Sequence, residues 1–94
     1  MSVYVDPILR HVTKLKYDHW CHMFADTLDE LHTMAARIGL KREWFQNDSR
    51  LPHYDLVPSK RKLAVQYGAV EVSREMTVAY IRKNREAAGQ QGLF

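Results

Sequence analysis

A single cysteine rules out an intramolecular disulfide and any zinc site built from several thiolates. Glycine is scarce, at four residues, and no Gly-rich loop of the kind that cradles triphosphates is present. No apolar run is long enough to cross a bilayer, and no segment has the make-up of a secretory leader. With the lone thiol, these absences lead to the expectation of a soluble cytoplasmic protein with no membrane partner. Internal repeats and low-complexity segments are lacking too.

What is there is ordinary for a globular chain. Ninety-four residues suffice for one domain, expected over 1–94, with 46% hydrophobic and 27% charged residues. Two Trp, five Tyr and three Phe supply bulk for a core. A chain this short often gains stability by self-association, so a homo-oligomer is an open alternative. The formal charge of +3 is mild. It concentrates between Lys60 and Arg85, where Lys60, Arg61, Lys62, Arg74, Arg82, Lys83 and Arg85 face only Glu71 and Glu75. That balance suits an anionic partner and falls short of a dedicated non-specific DNA binder.

The pattern predicts strands at Val3–Val5 and Trp20–Ala25, with a loop between Ile8 and His19. Thr27 and Glu30 have capping-box spacing, and Leu28, Leu31, Ala35 and Ile38 form an apolar stripe ending at Gly39. A polar connector from Lys41 to Pro52 leads to a short strand, Tyr54–Val57. A second helix is expected from a Ser59 cap to Tyr67, with Gly68 as terminator. A last strand, Ala69–Val72, precedes a third helix over 73–88 and a frayed tail over 89–94. This order predicts a small α/β domain, a sheet of about four short strands with three helices and parallel crossovers.

The strongest candidate for chemistry is His53-Tyr54-Asp55 followed by Ser59-Lys60-Arg61. Helix starts favour anions, so two cations at a helix start suggest an anion held by free N–H groups, Lys60 and Arg61. The alternative is that Ser59 simply caps while both cations point into water. His53 and Asp55, at i and i+2 in a strand, share a face, and the carboxylate is placed to orient the imidazole for acid–base work or ligand binding. Trp44 and Gln46, near Lys41 and Arg42, are suited to stacking on a base and reading its edge, unless Trp44 or Phe45 plugs the core.

Other groupings are weaker. His22, His32, His53 and Asp55 are metal-ligand types, but no His-x-x-x-His or similar spacing joins them, so no metal and no cofactor are expected. Cys21 and His22 are adjacent in a strand and face opposite ways, which argues against a Cys–His nucleophile.

In order, Val3-Tyr4-Val5-Asp6, Cys21-His22-Met23, Ala25-Asp26-Thr27, Glu30-Leu31-His32, Ile38-Gly39, Trp44-Phe45-Gln46, Pro52-His53-Tyr54-Asp55, Ser59-Lys60-Arg61 and Gly68-Ala69 resemble the small bacterial and phage proteins grouped as domain of unknown function 4031. The resemblance covers residues 3–72 and leaves the helix from Ser73 outside. Pro7 stands where members of that family often carry a second Asp. The resemblance supplies no activity. It implies an uncharacterised protein, in the host cytoplasm if phage-encoded, whose residues His22, His32, Trp44, Gln46, His53, Asp55, Ser59, Lys60 and Arg61 share a pocket.

The leading expectation is therefore a non-enzymatic binder of a small anionic, nucleotide-like ligand, sequestering a host nucleotide signal. Its binding residues would be Ser59, Lys60, Arg61, His53, Asp55, Trp44 and Gln46. The runner-up is a small hydrolase or nuclease using His53 and Asp55 with His22. A third reading is a nucleic-acid or protein-interaction module presenting Arg74, Arg82 and Arg85 on one side of the last helix.

Overall fold

The computed structural model describes residues 2–10 and 19–91, with side chains as far as Asn84. In chain order the elements are β1 (Val3–Val5), β2 (Leu9–Arg10), β3 (His19–Ala25), α1 (Leu28–Arg37), a 3₁₀ turn (Arg42–Trp44), β4 (Tyr54–Leu56), α2 (Pro58–Gln66), β5 (Val70–Glu71) and α3 (Arg74–Gln91). Among the described residues the fold is mixed α/β, with three helices and a five-stranded sheet. The additional strand is β2, in the segment expected to be a loop; the rest of that expected loop, 11–18, lies outside the described residues.

Strand β3 is the centre of the sheet. Its Met23 pairs with Val5 of β1 on one edge and with Tyr54 of β4 on the other, both antiparallel. Among the described residues, only β1 and β5 pair in parallel. The expected run of parallel crossovers is corrected accordingly. β4 and β5, joined by α2, do point the same way, but β3 and β1 lie between them. The long polar connector after α1 lets the chain reach the far edge of β3 before β4 begins.

Period-two alternation sorts the side chains. Cys21, Met23, Val3, Val5, Tyr54 and Leu56 face α1 and α2, where they form the core with Leu31, Met34, Ala35, Ile38 and Ala64. His22, Phe24 and Tyr4 face the other way, toward α3. Phe24 is buried there by Tyr80 at 4.9 Å and Tyr4 at 5.4 Å between ring centroids. Tyr80 also donates its hydroxyl to the Ala25 carbonyl at 2.9 Å, and Asn84 donates to the Arg50 carbonyl at 2.9 Å. Helix α3 thus packs on the sheet face opposite α1 and α2.

Local signals explain the helix ends. Thr27 Oγ1 accepts the Glu30 N–H at 3.2 Å and donates to the Glu30 carboxylate at 2.8 Å. Gly39 (φ +83°) and Gly68 (φ +102°) adopt the left-handed backbone that ends α1 and α2. In both, the next residue returns its N–H to a carbonyl five positions back, Leu40 to Ala35 at 2.9 Å and Ala69 to Ala64 at 3.0 Å. Ser59 is not the cap of α2: Val57 is the N-cap and Pro58 occupies the first turn, where its fixed φ fits and its missing N–H costs nothing. Helix α3 runs on to Gln91, past the expected end at Ala88 and through Gly89 of the expected tail. A lone glycine weakens a helix by about 1 kcal/mol without ending it.

A register shift shapes the N-terminal edge. If the β1 pairing ran on, Leu9 would face His19; it faces Trp20 instead. One extra residue is therefore accommodated across Asp6-Pro7-Ile8, a bulge at a proline that has no N–H to give the ladder. Asp6 N–H still donates to the His22 carbonyl at 3.2 Å. The return bond is altered: His22 N–H goes to Asp6 Oδ1 at 2.7 Å, and the Asp6 carbonyl accepts Arg61 Nε–H at 2.8 Å.

Arg61 holds this edge, bridging the Asp6 carbonyl and the Glu71 carboxylate at 2.8 Å each. Replacing Arg61 by Met leaves that carbonyl unpaired and is expected to lower stability by about 1–3 kcal/mol. Arg61→Lys should recover only part of this, because an ammonium lacks the fork that reaches both partners. Urea midpoints of the three proteins measure both effects, and an unchanged midpoint in Arg61→Met would contradict the assignment.

Candidate functional site

The sheet face beneath α3 carries an unusual row of polar groups. His22 on β3 and Asp55 on β4 are direct cross-strand partners. His53 lies two residues before Asp55 on the same face, and its backbone is bridged to Gln46. Asp6 stands beside His22 on the other edge. One nitrogen or oxygen from each of His22, His53 and Asp55 lies within 4.8 Å of the others.

Each of these side chains is anchored from behind. Asp6, 4% exposed, accepts the His22 Nδ1–H at Oδ2 (2.9 Å) and the Thr77 hydroxyl at the same oxygen (3.2 Å). Its other oxygen holds the His22 backbone N–H. His53 donates Nδ1–H to the Leu51 carbonyl at 2.6 Å, which directs Nε2 to Asp55 Oδ1 at 3.5 Å. Asp55 Oδ2 accepts the Gln46 amide at 2.6 Å. The two imidazoles meet edge to face, 5.0 Å between centroids.

Electrostatics follow this wiring. Burial pushes the Asp6 and Asp55 carboxyls up, but hydrogen bonds from His22 to Asp6 and from His53 and Gln46 to Asp55 outweigh it, and both end below the ordinary 3.8. Burial pushes the His53 imidazole down, yet Asp55 and the Leu51 carbonyl carry it above 6.5. Cys21, on the opposite face, is pushed up to about 12 by burial, so it is no thiolate nucleophile.

Of the expected site residues, His22, His53, Asp55 and Gln46 are brought together. Trp44 is not: it is half exposed on the 3₁₀ turn, with Lys41 Nζ 5.6 Å from its ring centroid. Its neighbour Phe45 packs on the core against Tyr54. His32 sits across the sheet, its Nδ1 2.9 Å from the Tyr54 hydroxyl and its ring against Phe45. Ser59 is exposed on the first turn of α2. Lys60 donates to the Ile38 carbonyl at 2.7 Å, at the negative end of α1, and Arg61 serves the Asp6 carbonyl. Arg74, Arg82 and Lys83 are exposed on α3, and the Arg85 side chain lies outside the described residues.

Sequence reasoning missed Asp6 and Thr77. Asp6 falls just past the strand expected at Val3–Val5. The available signal was its parity: it follows Val5 one step along the strand, which puts it on the face of Tyr4 and away from the core.

The family described as "Protein of unknown function (DUF4031)" matches residues 3–84. The chain belongs to the DUF4031 family. The DUF4031 match runs past the resemblance drawn over 3–72 and takes in Thr77, Tyr80 and Asn84, the α3 residues that touch the sheet and the Arg50 loop. No curated protein and no solved structure matches this DUF4031 chain. Among its described residues, no helix is long and apolar enough to cross a membrane.

The shifts set a stability profile. Asp6 and Asp55 have lowered folded values, so their contribution is present above the unfolded value and is lost as pH falls through the folded ones. His53 has a raised value, so its contribution is complete below 6.5 and disappears as pH rises through the folded value. Asp55→Asn removes one acid limb and most of the His53 limb, and is expected to flatten the profile on both sides. Urea unfolding at about pH 3, 5.5 and 8 measures this, and an unaltered profile would refute the coupling.

Proposed function

We propose that this DUF4031 chain is a small hydrolase whose water-activating centre is His22, His53 and Asp55. The observation that carries the reading is their convergence. Two imidazoles, each fixed through Nδ1, and one carboxylate bring their donor atoms within 4.8 Å of one another. Groups of this kind hold and deprotonate a water, provided their orientation is set in advance. Here it is set by Asp6, the Leu51 carbonyl and Gln46. His53 is 8% exposed, whereas the His22 and Asp55 side chains are 33% and 34% exposed, so the cluster has a buried wall and an open side.

Sequestration of a nucleotide-like anion at Ser59-Lys60-Arg61 has less behind it. Its two cations are already engaged with the carbonyls of Ile38 and Asp6. The basic side of α3 offers exposed cations but no convergent group.

A panel of activated carboxylic esters, phosphomonoesters and phosphodiesters tests the hydrolase reading. Product formation with one of these classes is expected to fall by about 10²–10⁴-fold in His53→Ala and in His22→Ala, with circular dichroism unchanged. No product from any class, or full turnover in a folded His53→Ala, would overturn it. A nucleotide that binds and returns unchanged would favour the sequestration reading.

A further inference from the structure

We infer that His22, His53 and Asp55 bind a divalent transition-metal ion of the zinc class, with the protein filling three positions and leaving another for water. This rests on the same cluster as the hydrolase reading and says how the water is held there.

Four observations support it. Two imidazoles and a carboxylate are the donor set that zinc and its neighbours favour, and three protein ligands leave a coordination position open. The donor atoms already lie within 4.8 Å of one another. A tetrahedral ion bound at about 2.0–2.2 Å needs them about 3.3–3.6 Å apart, an inward adjustment that side-chain rotation supplies. Each ligand also has the hydrogen-bond partner that metal-bound residues use to fix their orientation. Asp6 holds His22 Nδ1 at 2.9 Å, the Leu51 carbonyl holds His53 Nδ1 at 2.6 Å, and Gln46 holds Asp55 Oδ2 at 2.6 Å. Finally, Asp6 is occupied on both oxygens by His22 and Thr77, which suits it to support a ligand.

The sequence spacing gave no metal pattern because the ligands do not come from one helix or one loop. His22 and Asp55 are neighbours only through the pairing of β3 with β4, and His53 joins by strand alternation.

Zinc titration of the chelator-stripped full chain, followed by calorimetry, and cobalt substitution, followed by its visible d–d absorption, test the inference. Zinc is expected to bind one ion per chain, and cobalt to give tetrahedral bands that zinc displaces. His53→Ala and Asp55→Ala should abolish the bands. Gln46→Leu, at an exposed residue outside the ligand set, should keep the fold and weaken zinc by about 10–100-fold. His32→Ala, on the opposite face of the sheet, should leave zinc binding unchanged. No zinc binding, binding unaffected by Gln46→Leu and His53→Ala in folded proteins, or loss in His32→Ala would overturn it. The two readings separate cleanly. Zinc binding without turnover sustains this site and sinks the hydrolase. Turnover that survives chelation but disappears in His53→Ala sustains the hydrolase and sinks the metal.

Discussion

The bond from the His22 backbone N–H to the Asp6 carboxylate organises this molecule. In a regular antiparallel pair that N–H would go to the Asp6 carbonyl. The bulge at Asp6-Pro7-Ile8 substitutes a side chain for the main chain at that position, and a chain of consequences follows. The released carbonyl must find another donor, and Arg61 supplies it. The carboxylate, now drawn toward β3, reaches the imidazole of the residue whose backbone it already binds. Its remaining acceptor capacity takes the hydroxyl of Thr77 and so ties α3 to the sheet. One irregular position thereby orients a histidine, engages a helix start and fixes a second helix.

The cations of α2 are best understood through the elements they serve. Lys60 and Arg61 sit at the positive end of their own helix, an arrangement that costs a few tenths of a kcal/mol to about 1 kcal/mol each when exposed. Their heads lie elsewhere. Lys60 completes the C-terminus of α1, where Gly39 leaves room: a Cβ there would stand 3.2 Å from the Lys60 ammonium. Arg61 completes the N-terminal edge of the sheet. The unfavourable local placement is offset by two non-local carbonyls, and α2 becomes the clamp between α1 and β1.

Legibility in the sequence follows the range of the interaction. Thr27, Glu30, Gly39 and Gly68 were readable because caps and left-handed stops are decided within a few residues. So was the shared face of His53 and Asp55, which needs only strand alternation. The partnership of His22 with Asp55 was not, since it depends on a register between strands more than thirty residues apart in the sequence. The carbonyl partners of Lys60 and Arg61 were hidden for the same reason: local electrostatics say what a helix start favours, not whose carbonyls approach. Helix α3 hides its contact face in another way. Its apolar Met76 and Val78 are exposed, while Thr77, Tyr80 and Asn84, spaced i, i+3 and i+7, make the contacts.

The Thr77–Asp6 hydrogen bond joins residues 71 positions apart, and it leads from the bulge after β1 to His22 of β3 and its partner Asp55 of β4. No contiguous fragment of modest length contains them. Closing so wide a span loses chain entropy before any contact rewards it, so such pairings form late and slow the search for the native topology. The brace that runs from Thr77 through Asp6 to His22 is therefore a product of the finished fold. It closes only when both ends of the described chain have found each other.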